Sequence, residues 1–146
     1  VDTDLAFRVL NATVMPWWLL WLIAPRSRWA RRAASHSGVF LVLCGVYSVL
    51  IAWAIASGGA GGGLEFESVR AALSTPVGFL AGWTHYLVFD LFVGAWILRE
   101  SGRLDLEPRP FLVFALMLGP IGLGAFLLRR AGRLRSLGQI GDADLA

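Results

Sequence analysis

Gly82-Trp83-Thr84-His85-Tyr86-Leu87-Val88-Phe89-Asp90-Leu91-Phe92-Val93-Gly94 lies near the middle of an apolar run from Pro76 to Leu98. A helix needs roughly 20 residues to cross the hydrocarbon core of a bilayer, and this run supplies them. An ionised Asp at the centre of such a helix costs about 2.5–3.5 kcal/mol on insertion scales. His85 adds a second ionisable group within one and a half turns. Polar groups at that depth usually face a bundle interior, find partners and mark a site. The segment therefore reads as the functional helix of a membrane protein.

The composition agrees. The chain has 146 residues, 57% of them hydrophobic and only 16% charged, with a mean hydropathy of +0.66. A soluble domain of this size could not hide so much apolar surface. The pI near 10.0 raises nucleic acid as a partner. However, every basic residue is Arg, and the arginines cluster just beyond the apolar runs. That placement reads as topology determinants and lipid-headgroup contacts, with no nucleic acid. The lone cysteine, Cys44, lies inside an apolar run, so it forms no internal disulfide and is expected as a buried thiol.

Working outward, the spans are expected at about 5–24, 39–56, 76–98 and 111–128, as one transmembrane domain with a flexible tail over 129–146. The first run carries Asn11 and Pro16, then Trp17, Trp18 and Trp21 toward its far end, where interfacial anchoring explains tryptophan. It reads as part of the protein's body, not as a cleaved leader. Gly58 to Gly63 reads as a flexible linker, and Glu65 to Ser74 as a short surface helix with Leu64, Phe66, Val69 and Leu73 on its apolar side. Gly119-Pro120-Ile121-Gly122-Leu123-Gly124 is a breaker cluster inside the last run. The fold expected is all-α: an integral membrane four-helix bundle, its fourth span broken or kinked at Gly119-Pro120.

Four spans place the first and third connectors on one side with Arg26, Arg28, Arg31, Arg32, Arg99, Arg103 and Arg109. The other side would hold Arg8, Arg70, Arg129, Arg130, Arg133 and Arg135, nearly a tie. Early charges usually dominate, which puts the first connector in the cytoplasm. The C-terminal arginines oppose that orientation unless the Gly119-Pro120 break makes the last segment re-entrant.

Helical spacing sorts the central motif into stripes. Trp83, Tyr86 and Asp90 share one face, while His85, Phe89, Phe92 and Trp96 form a neighbouring one. His85 and Asp90, five residues apart, point about 140° away from each other, so they are no dyad within one helix. Asn11 of the first span is a candidate interhelical partner for Tyr86 or Asp90. A hydrogen-bonded clamp between helices is the competing structural reading; it explains Asn11 well, and a carboxylate beside an imidazole and three aromatic rings less well.

Only two histidines are present, His36 and His85, which excludes metal sites built on several imidazoles. No metal and no cofactor are expected; haem held by His85 alone stays open. No serine or cysteine sits in a nucleophile elbow, and no phosphate loop is present. What remains is an aromatic intramembrane pocket with a carboxyl, an imidazole and a phenol, suited to a long lipophilic ligand.

The central motif, read as Gly82-Trp83-x-His85-Tyr86-Leu87-x-Phe89-Asp90-Leu91-Phe92-Val93-Gly94, resembles the signature of the small membrane-protein family that includes plant neoxanthin synthase. The similarity extends to Asn11, Pro16, Trp18-Leu19-Leu20 and Ala24-Pro25, and to Gly119-Pro120-x-Gly122-Leu123. It implies a carotenoid ligand or substrate. In the plant reaction an epoxide of violaxanthin opens while a proton leaves the polyene, giving an allene. That needs an acid near the epoxide oxygen and a base near the carbon.

The resulting expectation is a carotenoid-processing protein of a bacterial inner membrane, acting by isomerisation of a xanthophyll or by oxidative cleavage of beta-carotene to apocarotenals or retinal. Asp90, His85 and Tyr86 are the expected catalytic groups. Asn11, Trp83, Phe89, Phe92, Trp96, Gly119 and Pro120 are the expected substrate contacts. The competing readings are a non-catalytic carotenoid-binding protein and a structural or transport bundle. Membrane lipids are expected partners. A small bundle with glycine-rich faces also leaves association of copies of the chain as an expectation.

Overall fold

The computed structural model describes residues 2–58, 63 and 65–135. Seven α-helices form among them: α1 (Thr3–Ile23), α2 (Arg28–Ser35), α3 (Gly38–Ala56), α4 (Phe66–Leu73), α5 (Pro76–Leu104), α6 (Arg109–Leu118) and α7 (Pro120–Leu134). Three stretches, 3–23, 28–56 and 76–104, are long and apolar enough to cross a membrane. The protein is an integral membrane protein.

The four-span bundle is not what forms. The last apolar run divides at Gly119, whose φ of 41° and ψ of −96° turn the backbone out of the helix, and Pro120 then starts a new one. At 1.5 Å per residue, α6 and α7 are about 15 and 22 Å long, short of a hydrocarbon core of about 30 Å. They pack on each other as a hairpin. Gly122 makes this closeness possible: a Cβ there would strike the Ala115 backbone nitrogen and stand 2.6 Å from the Phe114 carbonyl carbon.

Local chemistry fixes the other helix ends. The Thr75 hydroxyl accepts the Gly78 N–H at 3.1 Å, and Pro76 takes the first turn of α5, where a missing N–H costs nothing. Ser27 caps α2 by accepting the Ala30 N–H at 3.1 Å. Neither α2 nor the extension of α5 through Glu100 to Leu104 is foreseen in the sequence reading, which takes both stretches as connectors. Helix α4 buries none of its residues. Gly59, Ala60, Gly61 and Gly62 of the expected linker, Leu64 and the tail at 136–146 lie outside the described residues.

The described residues fall into two compact units, one drawn from those within 2–14 and 37–89, the other from those within 15–36 and 90–135. In the second unit, Trp18 and Trp21 are 2% and 0% exposed. They meet edge to face at 5.6 Å and fill the slot left by Gly94, where a Cβ would stand 2.6 Å from the Trp18 ring. They are packing residues, not the interfacial anchors that tryptophan near a span end suggests. Cys44, expected inside, is exposed, because α3 buries Val39, Leu43, Leu50 and Ala54 instead.

Arginines of the second unit tie helix ends together. Arg109 Nε donates to Leu22 O at 2.9 Å and its Nη2 to Ile23 O at 3.3 Å, capping the last carbonyls of α1. Arg99 donates to Ala34 O at the end of α2. Arg130 Nε donates to Glu100 Oε1 at 2.8 Å, with both side chains at most 3% exposed. Arg133 Nε reaches Leu104 O at 3.4 Å.

The hairpin therefore returns Arg130 and Arg133 to the carboxyl end of α5, where a fourth span would have carried them away. Eleven arginines (Arg26, Arg28, Arg31, Arg32, Arg99, Arg103, Arg109, Arg129, Arg130, Arg133 and Arg135) belong to this unit, against Arg8 and Arg70 in the other. The near-tie expected for four spans disappears. The excess predicts a cytoplasmic location for this end. A reporter fused after Arg135 should be active only as a cytoplasmic enzyme; activity of a periplasmic reporter at that point would reverse the orientation.

Candidate functional site

The first unit contains a cleft of about 720 Å³ between the start of α1, the end of α4 and the start of α5. Phe7, Leu73, Pro76, Phe79 and Leu80 supply its apolar walls, and Thr3, Asp4, Ser74 and Thr75 line it with polar groups. Phe7 stacks on Phe79 at 6.4 Å and meets Trp83 at a tilt, 5.2 Å between ring centroids. Along α5 the stack continues from Phe79 to Trp83 at 6.3 Å and from Trp83 to Tyr86 at 5.7 Å. The spacing of 79, 83 and 86 is that of one helix face, so the backbone alone aligns these rings.

Asn11 orients the middle ring. Its Nδ2 donates to Phe7 O at 2.7 Å, one turn back in α1, which turns Oδ1 toward α5. There it accepts the Trp83 indole N–H at 3.3 Å. The interhelical bond of Asn11 thus goes to Trp83, a partner the sequence reading does not weigh.

His85 lies in a second aromatic group of the same unit. Its ring sits 5.6 Å from Tyr47 of α3 and 4.6 Å from Phe89, one turn on in α5. It does not face an interior. The buried stripe of α5 is Leu80, Thr84, Leu87, Leu91, Ala95 and Leu98. His85, Tyr86, Phe89 and Phe92 are exposed, with Tyr86 at 39%. Within a bilayer such an outward face meets lipid.

In the second unit, Asp90 is half-buried and has interactions of its own. Phe92 and Trp96 line a separate apolar cleft of about 240 Å³ with Val93, Leu123 and Leu127. Trp96 also meets Phe126 edge to face at 5.2 Å. Gly119 and Pro120 form the turn of the α6–α7 hairpin. The ten residues named from sequence are thus distributed. Asn11, Trp83 and Tyr86 belong to one stack, His85 and Phe89 to another, and Phe92 and Trp96 to the hairpin cleft.

Phe7, Phe79 and Tyr47 were not singled out. Phe7 stands one turn before Asn11, and Phe79 one turn before Trp83. Helical spacing from those two residues is the signal that would have found them. Tyr47 gave none, being an isolated aromatic in a plain apolar span. Among the described residues, no three His, Cys, Asp or Glu side chains gather closely enough to hold a metal ion.

No curated protein and no solved structure matches the chain. The family model described as ABA DEFICIENT 4-like matches residues 5–126 and so takes in the first aromatic stack, the α5 motif and most of the hairpin. On that match, the chain belongs to the ABA DEFICIENT 4-like family, the one its central motif resembles.

Proposed function

We propose that the protein binds a carotenoid by one ring end in the 720 Å³ cleft, with the polyene along the Phe79-Trp83-Tyr86 face, and converts it at the far end of that face. The family is linked to carotenoid metabolism, which supplies the ligand class. The observation that carries the reading is the aromatic stack running from the cleft along α5. Flat, polarisable rings suit a conjugated chain, and their outward position lets a ligand dissolved in lipid approach sideways.

For a reacting xanthophyll we assign the acid to Asp90, the base to His85 and a supporting hydroxyl to Tyr86, on the chemistry of those side chains. The acid protonates the epoxide oxygen as its C–O bond breaks, and the base removes the proton whose bonding pair becomes the new double bond of the allene. Oxidative cleavage of beta-carotene is the other conversion, with oxygen as the co-reactant. The bacterial inner membrane is the proposed location. Binding without chemistry is a second reading, favoured by the outward exposure of His85 and Tyr86.

One experiment separates them: pigment analysis of cells accumulating beta-carotene or violaxanthin, with and without the protein, in light and in darkness. New apocarotenals or an allenic product are the expected result. Asp90→Asn should retain bound pigment and lose conversion, whereas Trp83→Ala should lower retained pigment about tenfold, since three ring contacts and one hydrogen bond go with it. Full conversion by Asp90→Asn would remove that residue from the chemistry. Unaltered pigment on the wild-type protein would establish the binding-only reading, and pigment neither bound nor altered would end both.

A further inference from the structure

Helix α2 carries Arg28, Arg31 and Arg32 and no acidic residue. It docks through Ala30 and Ala34, which are 0% and 1% exposed, and so turns its cationic side away from the protein. Arg31 Nη1 is engaged with Arg26 O at 2.8 Å, and Arg28 lies over the Trp29 ring at 5.1 Å. Arg32 instead borders a cleft of about 380 Å³ whose other walls are Trp17, Leu20, Trp29, Ala33 and His36. The floor is apolar and comes from the last turns of α1, a membrane span. The rim holds a guanidinium and an imidazole, and Trp29, 58% exposed, has the position of an interfacial ring.

We propose that this cleft is a binding site for one anionic phospholipid, independent of any carotenoid. The phosphate pairs with Arg32 beside His36, and the first methylenes of an acyl chain lie on Trp17 and Leu20. Charge and polarity together choose this occupant. A free phosphate has no use for an indole and leucine floor, and a zwitterionic lipid sets its own cation against the guanidinium. The leaflet predicted by the arginine excess agrees as well, being the cytoplasmic one, where anionic headgroups concentrate.

The test uses the full chain in detergent, offered phosphatidylglycerol and phosphatidylcholine of identical chains in equal amounts, with bound lipid read by native mass spectrometry. The wild type should retain phosphatidylglycerol over phosphatidylcholine by about fivefold or more. Arg32→Gln should erase the preference, Arg32→Lys should keep most of it, and Arg8→Gln, with the same loss of formal charge, should leave it intact. A wild type without preference overturns the site. So does an equal loss in Arg8→Gln and Arg32→Gln, which would mean bulk charge alone, or displacement of the lipid by inorganic phosphate. Phosphatidylglycerol brominated near the headgroup gives a check that needs no arginine variant. It should quench the wild-type fluorescence more than that of Trp17→Phe, and equal quenching counts against the site.

Discussion

Glu100→Ala will destabilise the protein by about 3–5 kcal/mol, the loss typical when one partner of a buried ion pair is removed. Glu100 is 1% exposed and Arg130 is 3% exposed, joined through Oε1 and Nε at 2.8 Å. Truncating the acid takes from a buried guanidinium the carboxylate that it meets at 2.8 Å, and the desolvation of that guanidinium is then offset less well. Arg103, 3.6 Å from the other carboxylate oxygen and 40% exposed, can turn to solvent and loses little.

The sign of the double variant decides whether this account is right. Glu100→Ala combined with Arg130→Met removes both members of the buried pair and should recover most of the loss, because the desolvated guanidinium goes with the carboxylate. Thermal unfolding in detergent, followed by near-ultraviolet circular dichroism, measures both proteins. A double variant as unstable as the single one would show that shape, not charge, holds α7 to α5.

Gly122→Val should cost about 3 kcal/mol or more, at the upper end of overpacking effects. In most tight sites a flexible side chain yields to added volume. Here the new Cβ meets the nitrogen and Cα of Ala115 and the carbonyl carbon of Phe114, all backbone of α6, which can retreat only if the hairpin opens. Gly124 provides the control: nothing lies within 4 Å of a Cβ there, so Gly124→Ala should be neutral or gain a few tenths of a kcal/mol through helix propensity. Equal melting temperatures for Gly122→Val and Gly124→Ala would be incompatible with the close approach of α6 and α7.

Helix existence follows from length and hydropathy, because a chain in lipid must satisfy every backbone N–H and C=O within itself. On that ground alone Leu5 to Ala24, Val39 to Ala56 and Pro76 to Leu98 read as spans, and Gly119-Pro120 as a break. The resemblance carried by Trp83, His85, Tyr86 and Asp90 identified the family. Charge also left its mark: arginines follow the ends of apolar runs, where helix carbonyls lack partners and water begins.

Tertiary structure alone decided which side of each helix faces inward. In a soluble protein the outward face is polar and betrays itself, but in a membrane both faces are apolar, so periodicity in hydropathy holds little information about orientation. His85 and Tyr86, read as interior, therefore lie outside, while Trp18 and Trp21, read as boundary anchors, lie inside against Gly94. Breaker residues likewise cannot say whether a helix bends onward or doubles back. That turned on Gly122 admitting the backbone of α6, and on Glu100 standing where α7 returns Arg130. Both are contacts between residues distant along the chain, and only the packed protein brings them together.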